Sequence, residues 1–543
     1  MSDKDRGGYD RGRYWIRGGF VVDGTGAEPF RADVILRDGD IAEVVRGGVT
    51  VDPEGYEVVD AEGRMVAPGF IDMHSHSDLA LFRPEGVGPK LLQGVTTEVL
   101  GQDGLSVAPL PEEDHEEWRG KLTGLLGEEP AEWNWESVTE YFDALDAIPP
   151  EVNACYLLPH GPIRAAVVGT EDVPTDAAAR REMGAMIREG MAAGAVGFST
   201  GLIYPPCSYA DREELADLNR YTAEAGGFFV VHMRNESHRV LDSFEEMRWV
   251  ARESGCPLHI SHLKVAGAAN KGLWPDLLAA IDDAREEGLD VTFDQYPYAA
   301  GSTMLDALLP KWVHAGGFES TLARLADGDS RRMIFEELTG NESDGEAENM
   351  YARGGPEEVM VAWVKGQENA WVIGKNLQEI AEEMDKHPVE ALMDLLLEER
   401  LAATMISFWG TDEDIIPAMK HPAGLACTDG IYGPHPHPRL GGSFPRILGE
   451  FVRDRGVLTP AAAIKRMTSA SAERLGLTDR GVVEAGRAAD LVVYDPEIIE
   501  SRATYAEPLT PPRGIEHVFV NGVHAVEDGR LTGSRGGRVL GRD

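Results

Sequence analysis

The fold this sequence predicts is a (β/α)8 barrel carrying a small β-sandwich built from both chain ends. Three observations predict it. Apolar runs of strand length alternate with amphipathic helices through the middle of the chain, short alternating strands with Asp-Gly turns occupy the ends, and histidines and aspartates recur where the middle strands stop. Strands alternating with helices read as βαβ units on a parallel sheet. About eight such units suggest a closed barrel, whose functional side chains gather at the carboxyl ends of its strands.

At the N-terminal end, alternating runs at 19–24 and 32–40 carry Asp-Gly dipeptides, a hairpin signal. Runs at 489–495 and 517–523 look alike. Sheets this small are not stable alone, so residues 1–66 and 480–543 are expected to pair as one sandwich domain, with the barrel at 67–479. Inside the barrel, 175–193 reads as a helix with Thr175 as N-cap and Gly194 as stop. Strands at 195–199, 227–232, 257–262 and 290–294 then alternate with helices at 211–225, 240–254 and 276–287. A charged, Gly-rich stretch at about 318–371 breaks the alternation and reads as an insertion over the barrel mouth, a lid.

A chain of 543 residues can bury a large core. Its net charge of −42 argues against nucleic acid or an anionic membrane as partner; the plain account is a solvated acidic surface. An anionic substrate would then need a local basic pocket. The four cysteines lie far apart with no C-x-x-C pair, which fits a reducing compartment and no disulfide framework. The first 17 residues lack the apolar core of a signal peptide, and no apolar run reaches membrane-spanning length. The expectation is a soluble cytoplasmic protein; a homo-oligomer is compatible with the sequence but not specified by it.

The chemistry centres on Gly69-Phe70-Ile71-Asp72-Met73-His74-Ser75-His76. An apolar run over 65–73 reads as one buried strand delivering His74 and His76 at i and i+2, on one face. Neutral imidazole is a common zinc ligand, although an isolated pair is as readily a solvated strand end. His232 follows Phe228-Phe229-Val230-Val231, and Asp429 ends a small-residue strand. In His259-Ile260-Ser261-His262 the later histidine is the better ligand, and His259 reads as a core residue. Each alone is more often structural; five together favour a metal site. Gly197-Phe198-Ser199-Thr200-Gly201 fits the G-x-S-x-G elbow formally, but Gly201-Leu202-Ile203-Tyr204-Pro205-Pro206 cannot start the helix that motif needs.

Gly94-Val95-Thr96-Thr97, the stretch from Gly197 to Leu202, His232-Met233-Arg234-Asn235-Glu236, Ile260-Ser261-His262-Leu263-Lys264, Asp294-x-Tyr296-Pro297-Tyr298, His437-Pro438-Arg439 and 481–496 together resemble the N-acyl-D-amino-acid deacylases of the amidohydrolase superfamily. The likeness runs from about 17 to 541. It implies a zinc enzyme, with one or two ions per chain, that hydrolyses an N-acyl-D-amino acid to a carboxylate and a free D-amino acid. By the resemblance, His74, His76 and Asp429 hold one metal and His232 and His262 the other. Asp429 doubles as the proton-shuttling catalytic residue, while Lys264, Tyr296, Ser302 and Arg439 bind the substrate carboxylate. The family's Cys in Gly-x-Cys-Gly is replaced by Asp103 in Gly101-Gln102-Asp103-Gly104. Asp103 is a harder ligand, which leaves metal identity and number open. Other branches bridge their metals with a carboxylated lysine, but Lys121 is the only lysine between Asp103 and His232, in a predicted helix; Glu98 is a weaker alternative bridge. Arg234 and Glu236 read as supports, and His160 either lines the pocket or packs. The alternatives are a hydantoinase- or dihydroorotase-like cyclic-amide hydrolase, or a non-catalytic relative. The acyl group and the preferred D-side chain (neutral, D-Glu or D-Asp) stay open.

Overall fold

Parallel strands follow one another around the middle of the chain in the computed structural model, which describes residues 11–47, 54–83, 86–127, 133–341 and 348–542. They are β1 (Phe70–Asp72), β2 (Val95–Leu100), β3 (Asn153–Pro159), β4 (Gly197–Gly201), β5 (Phe228–His232), β6 (Leu258–Ile260), β7 (Val291–Gln295) and β8 (Gly424–Ala426). Each pairs with the next in sequence order. The ring closes just past the strands: the Met73 amide donates to the Ala426 carbonyl at 3.3 Å, and Ser75 bridges Gly430. Every residue of β3 and β5 is buried, as a parallel sheet covered by helices requires.

Helices at Ala177–Ala193, Arg212–Glu224, Val240–Ser254 and Trp274–Glu286 flank the middle strands. The first is capped by Asp176 rather than by Thr175: its carboxylate accepts from the Ala178 and Ala179 amides, each at 2.8 Å. An acidic cap also suits the positive end of the helix dipole. Thr175 instead donates its hydroxyl to Glu214 at 2.8 Å.

The two chain ends share one mixed sheet. Leu491–Tyr494 runs antiparallel to Met65–Pro68, which lies beside Tyr14–Val21. The expected sandwich is thus a single sheet curled over: Asp40 bridges Ala488, and the Tyr14 ring packs 4.8 Å from Phe519 around a core that includes Ile16, Val34 and Leu491. The Asp38-Gly39 and Asn521-Gly522 turns take positive φ at both positions, the geometry that twisted hairpins require.

Two further sequence expectations change. The apolar run over 65–73 is two strands in two sheets, Met65–Pro68 and β1. Gly69 is the joint, where a Cβ would sit 2.2 Å from Thr96 Oγ1. The excursion between β7 and β8 is also wider than 318–371. Ala300–Met304, Val359–Val364 and Ala403–Phe408 form an antiparallel sheet. Helices including Gly317–Ala326 and Pro388–Glu398 build a separate core with Leu325 and Leu392. Its flanks have ordinary apolar periodicity, so composition marks only its middle. Residues 342–347 of that stretch, and 1–10 of the N-terminal segment, lie outside the described residues. No helix among the described residues is long and apolar enough to cross a membrane.

Candidate metal centre

The barrel's closing seam carries the first ligands. His74 and His76 leave β1 just before the chain crosses to meet β8, and the Asp429 amide donates to the His74 carbonyl at 2.8 Å. His74 Nε2 lies 3.5 Å from Asp103 Oδ2 and 3.6 Å from Asp429 Oδ1; for His76 Nε2 the corresponding distances are 3.6 and 3.3 Å. His262 Nε2 is 3.8 Å from Asp103 Oδ1, and the His232 and His262 rings meet edge-on at 4.4 Å. Three overlapping triads result: His74, His262 and Asp429; His74, His76 and Asp103; and Asp103, His232 and His262. Within each, ligand atoms lie within 4.8 Å of one another. The six side chains expected as ligands therefore converge, with Asp103 between the histidine pairs.

The backbone is strained at the same places. Asp103, His262 and Asp429 take φ of 57°, 34° and 50°, a region L-residues seldom occupy and one that clusters at functional sites. The Asp103 loop is held from both sides. Gly101 has φ 74°, and a Cβ there would lie 2.1 Å from the Leu157 carbonyl oxygen. The Ser199 hydroxyl donates to the Gly101 carbonyl and accepts from the Gly104 amide. Ser199 is thus a structural tie, not a nucleophile.

Both ring nitrogens of His74 and of His232, Nδ1 of His76 and Oδ1 of Asp103 are buried without a hydrogen-bond partner among the described residues. Orphaned buried acceptors are costly, and neutral imidazoles with carboxylate oxygens are the donor set zinc takes; the residues fit a metal. The electrostatics agree. Burial alone would lower the His74 pKa, but Asp103 and Asp429 push it well above the usual value. At His232 burial prevails and the pKa falls to about 4. Burial opposes the charged forms of Asp103 and Asp429, yet His74 holds the first, and Arg439 and His74 the second, below the ordinary carboxylate range. A cation and protons would compete for the same positions.

The expected substrate residues line one cavity together with His76, Asp103, His232, His262 and Asp429. Arg439 Nη1 lies 2.7 Å from Asp429 Oδ2, its Nη2 donates to the Ser302 carbonyl at 2.9 Å, and its guanidinium stacks 4.5 Å over Tyr296. Lys264 Nζ donates to Glu236 at 2.6 Å and lies 2.8 Å from His262 Nδ1.

The Amidohydrolase family model matches residues 57–526. A D-aminoacylase from Alcaligenes xylosoxydans xylosoxydans is 34% identical, covering 100% of this chain and 99% of that one. The chain belongs to the D-aminoacylase group of amidohydrolases. An N-acyl-D-glutamate deacylase of the same organism is also 34% identical, over 97% of this chain and 96% of its own length. The solved structure of an N-acyl-D-glutamate deacylase from Bordetella bronchiseptica, complexed with zinc and a phosphonate mimic of the tetrahedral intermediate, superposes with a TM-score of 0.81. Its identity is 33%, covering 97% of this chain and 99% of that one.

Other expectations for this amidohydrolase resolve residue by residue. His259 is a satisfied core histidine between Thr292 and Asp294. Arg234 is structural, held by Glu246 and two carbonyls. His160 does not line the cavity; it packs on Thr200 and Glu214. Lys121 points to the Pro205 carbonyl and is no bridge. Glu98 is taken by Ser75, Ser77 and Lys90.

Sequence reading missed one support, Lys90, and left Asp294 without a role and Glu236 without a position. Asp294 accepts from the His262 amide at 2.7 Å and approaches His74 Nδ1 at 3.8 Å. Glu236 lies 3.3 Å from His232 Nε2 and 3.2 Å from His262 Nδ1, closer than a remote support. Fully buried Lys90 reaches Asp72 at 2.6 Å, Ser75 at 2.8 Å and Thr428 at 2.7 Å. One signal was available: Lys90 is the only charge in the otherwise neutral run from 86 to 97.

Proposed function

We propose that this amidohydrolase cleaves the amide bond of N-acyl-D-amino acids, adding water to give a carboxylate and a free D-amino acid, with one or two zinc ions as cofactor. The observation that carries this reading is the convergence of His74 with His76, His232, His262, Asp103 and Asp429, the last five of which line the same cavity as Lys264, Tyr296 and Arg439. The four histidines and two aspartates are the metal holders in this proposal. Bound zinc would polarise the scissile carbonyl and bring the pKa of a water toward neutrality.

Asp429 is the catalytic proton carrier. Arg439 fixes its Oδ2 at 2.7 Å, leaving Oδ1 turned toward His74 and His76. Held there, it takes a proton from water and returns it to the leaving amine. Lys264 and the Tyr296 and Ser302 hydroxyls receive the substrate's free carboxylate, with Arg439 adding charge beside them. Asp294 and Glu236 keep the imidazoles oriented, as carboxylates behind ligating histidines do.

In this reading residues 1–66 and 480–543 form the outer unit and 67–479 the catalytic one, a division supported by the pairing of 491–494 with 65–68. Four unpaired cysteines support a reducing, cytoplasmic location. The test is turnover on matched N-acetyl-D- and L-amino acids, before and after chelation and zinc return. D-selective release of amino acid, lost on chelation and restored by zinc, is the expected result. Metal-loaded protein inert on every D-substrate would overturn the assignment.

A further inference from the structure

His437 is bonded to the backbone of Arg439 and takes no part in the chemistry above. It is buried, yet it does not line the cavity. Its Nδ1 accepts from the Arg439 backbone amide at 2.9 Å, and its carbonyl accepts from the Leu440 amide at 3.1 Å. Arg439 opens the helix Arg439–Arg446, whose N-cap, Pro438, supplies no side-chain hydrogen bond. The first amides of a helix have no partner within it. His437 provides one from two residues back, as an Asx turn does.

With Nδ1 accepting, a neutral imidazole carries its proton on Nε2. Burial, and then the Arg439 charge, hold this ring neutral by pushing its pKa well below the usual value, while a hydrogen bond to the Ala300 backbone opposes them. The Tyr505 hydroxyl lies 3.5 Å from Nε2, and the Tyr298 and Tyr505 rings each meet the imidazole edge-on at 5.2 Å. The strand Ala300–Met304 thus touches both residues of the turn. Ala300 bonds the imidazole, and the Ser302 carbonyl takes Arg439 Nη2 at 2.9 Å. Arg439 Nη1 is left to meet Asp429 Oδ2 at 2.7 Å.

Resting on the deacylase reading, we propose that His437 is a positioning residue, whose Nδ1 anchors the Arg439 backbone so that the guanidinium holds Asp429 by one oxygen and leaves the other for proton transfer. What the position requires is an acceptor at that one atom, not bulk alone. Small displacements of a group that aligns the chemistry cost rate more than binding.

The experiment measures kcat and KM on N-acetyl-D-amino acids for zinc-loaded wild type, His437→Leu, His437→Asn and His437→Gln, with melting curves for each. Asn can accept from the amide two residues on, whereas Gln carries its carboxamide one bond too far out. His437→Leu and His437→Gln should lower kcat by about tenfold or more, with KM changed far less. His437→Asn should recover most of that loss. If the Leu variant does not fold, the Asn and Gln variants decide, since both are polar and bracket the imidazole in reach. Wild-type kcat in His437→Leu, Asn no better than Gln, or a loss carried wholly in KM overturns the positioning role while the deacylase reading stands. Wild-type protein inert on every D-substrate overturns both.

Discussion

The backbone amide of Asp429 hydrogen-bonds the carbonyl of His74 at 2.8 Å, so the last ligand of the centre is stitched to the first at the barrel's closing seam. Side chains reinforce the stitch from below. Thr428 gives Asp72 both its amide, at 2.7 Å, and its hydroxyl, at 2.6 Å. Lys90 ties Asp72, Ser75 and Thr428 together. The ligand geometry is therefore set by a buried ionic network as much as by the strands.

Lys90→Met should break it. Asp72 and Glu98 would be left buried without their counter-charge, a loss of about 3–5 kcal/mol for a pair of this kind. Urea unfolding with zinc analysis reads the outcome: a lower midpoint and less bound metal. A wild-type midpoint and zinc content would show that the network does not hold the seam.

Gly101→Ala combines strain with collision. The position has φ 74°, and the new Cβ would meet the Leu157 carbonyl oxygen at 2.1 Å. Gly169 has a similar φ, 77°, with nothing within 4 Å. Gly169→Ala should cost only the left-handed strain, about 1–2 kcal/mol, while Gly101→Ala should cost clearly more and lower zinc retention. Equal losses in thermal melts would mean that the Asp103 loop is not clamped against β3.

Asp103→Asn tests the carboxylate that lies among His74, His76 and His262. The amide keeps the shape and removes the charge. Retained zinc should fall, and hydrolysis should drop by about a hundred-fold or more. Unchanged zinc stoichiometry by elemental analysis would place the metal outside Asp103's reach.

The pair beneath β4 gives a pH signature. Burial alone would lower the His160 pKa, but hydrogen bonds to Cys207 and Glu214 raise it to about 9 from 6.5. Burial alone would raise the Glu214 pKa, but His160 and Arg164 hold it at about 2, below 4.5. The His160 contribution is therefore complete below pH 6.5 and lost as pH climbs through about 9. That of Glu214 is present above pH 4.5 and lost as pH falls toward about 2. Glu214→Gln should flatten the fall in melting temperature on the alkaline side; parallel wild-type and variant curves would contradict the pairing.

Much of this was legible in sequence, for physical reasons. Strand-end histidines announce themselves because barrel chemistry collects there, and His259 could be set apart from His262 by its place within the strand. The break at Gly69 was not legible, since one apolar run serves two sheets as well as one. Lys90 was missed because lysine is normally a surface residue, and its partners lie on β1, β2 and the segment past β8. The part His437 plays was hidden because only the folded excursion brings Ala300 and Ser302 to the turn at 437–439.

Anomalous diffraction at the zinc absorption edge, from crystals of the zinc-loaded protein, tests the central claim most directly. The account predicts a peak within bonding distance of His232 and His262 or of His74 and His76, with Asp103 or Asp429 completing the shell. Zinc bound elsewhere, with these imidazoles bare, would contradict it.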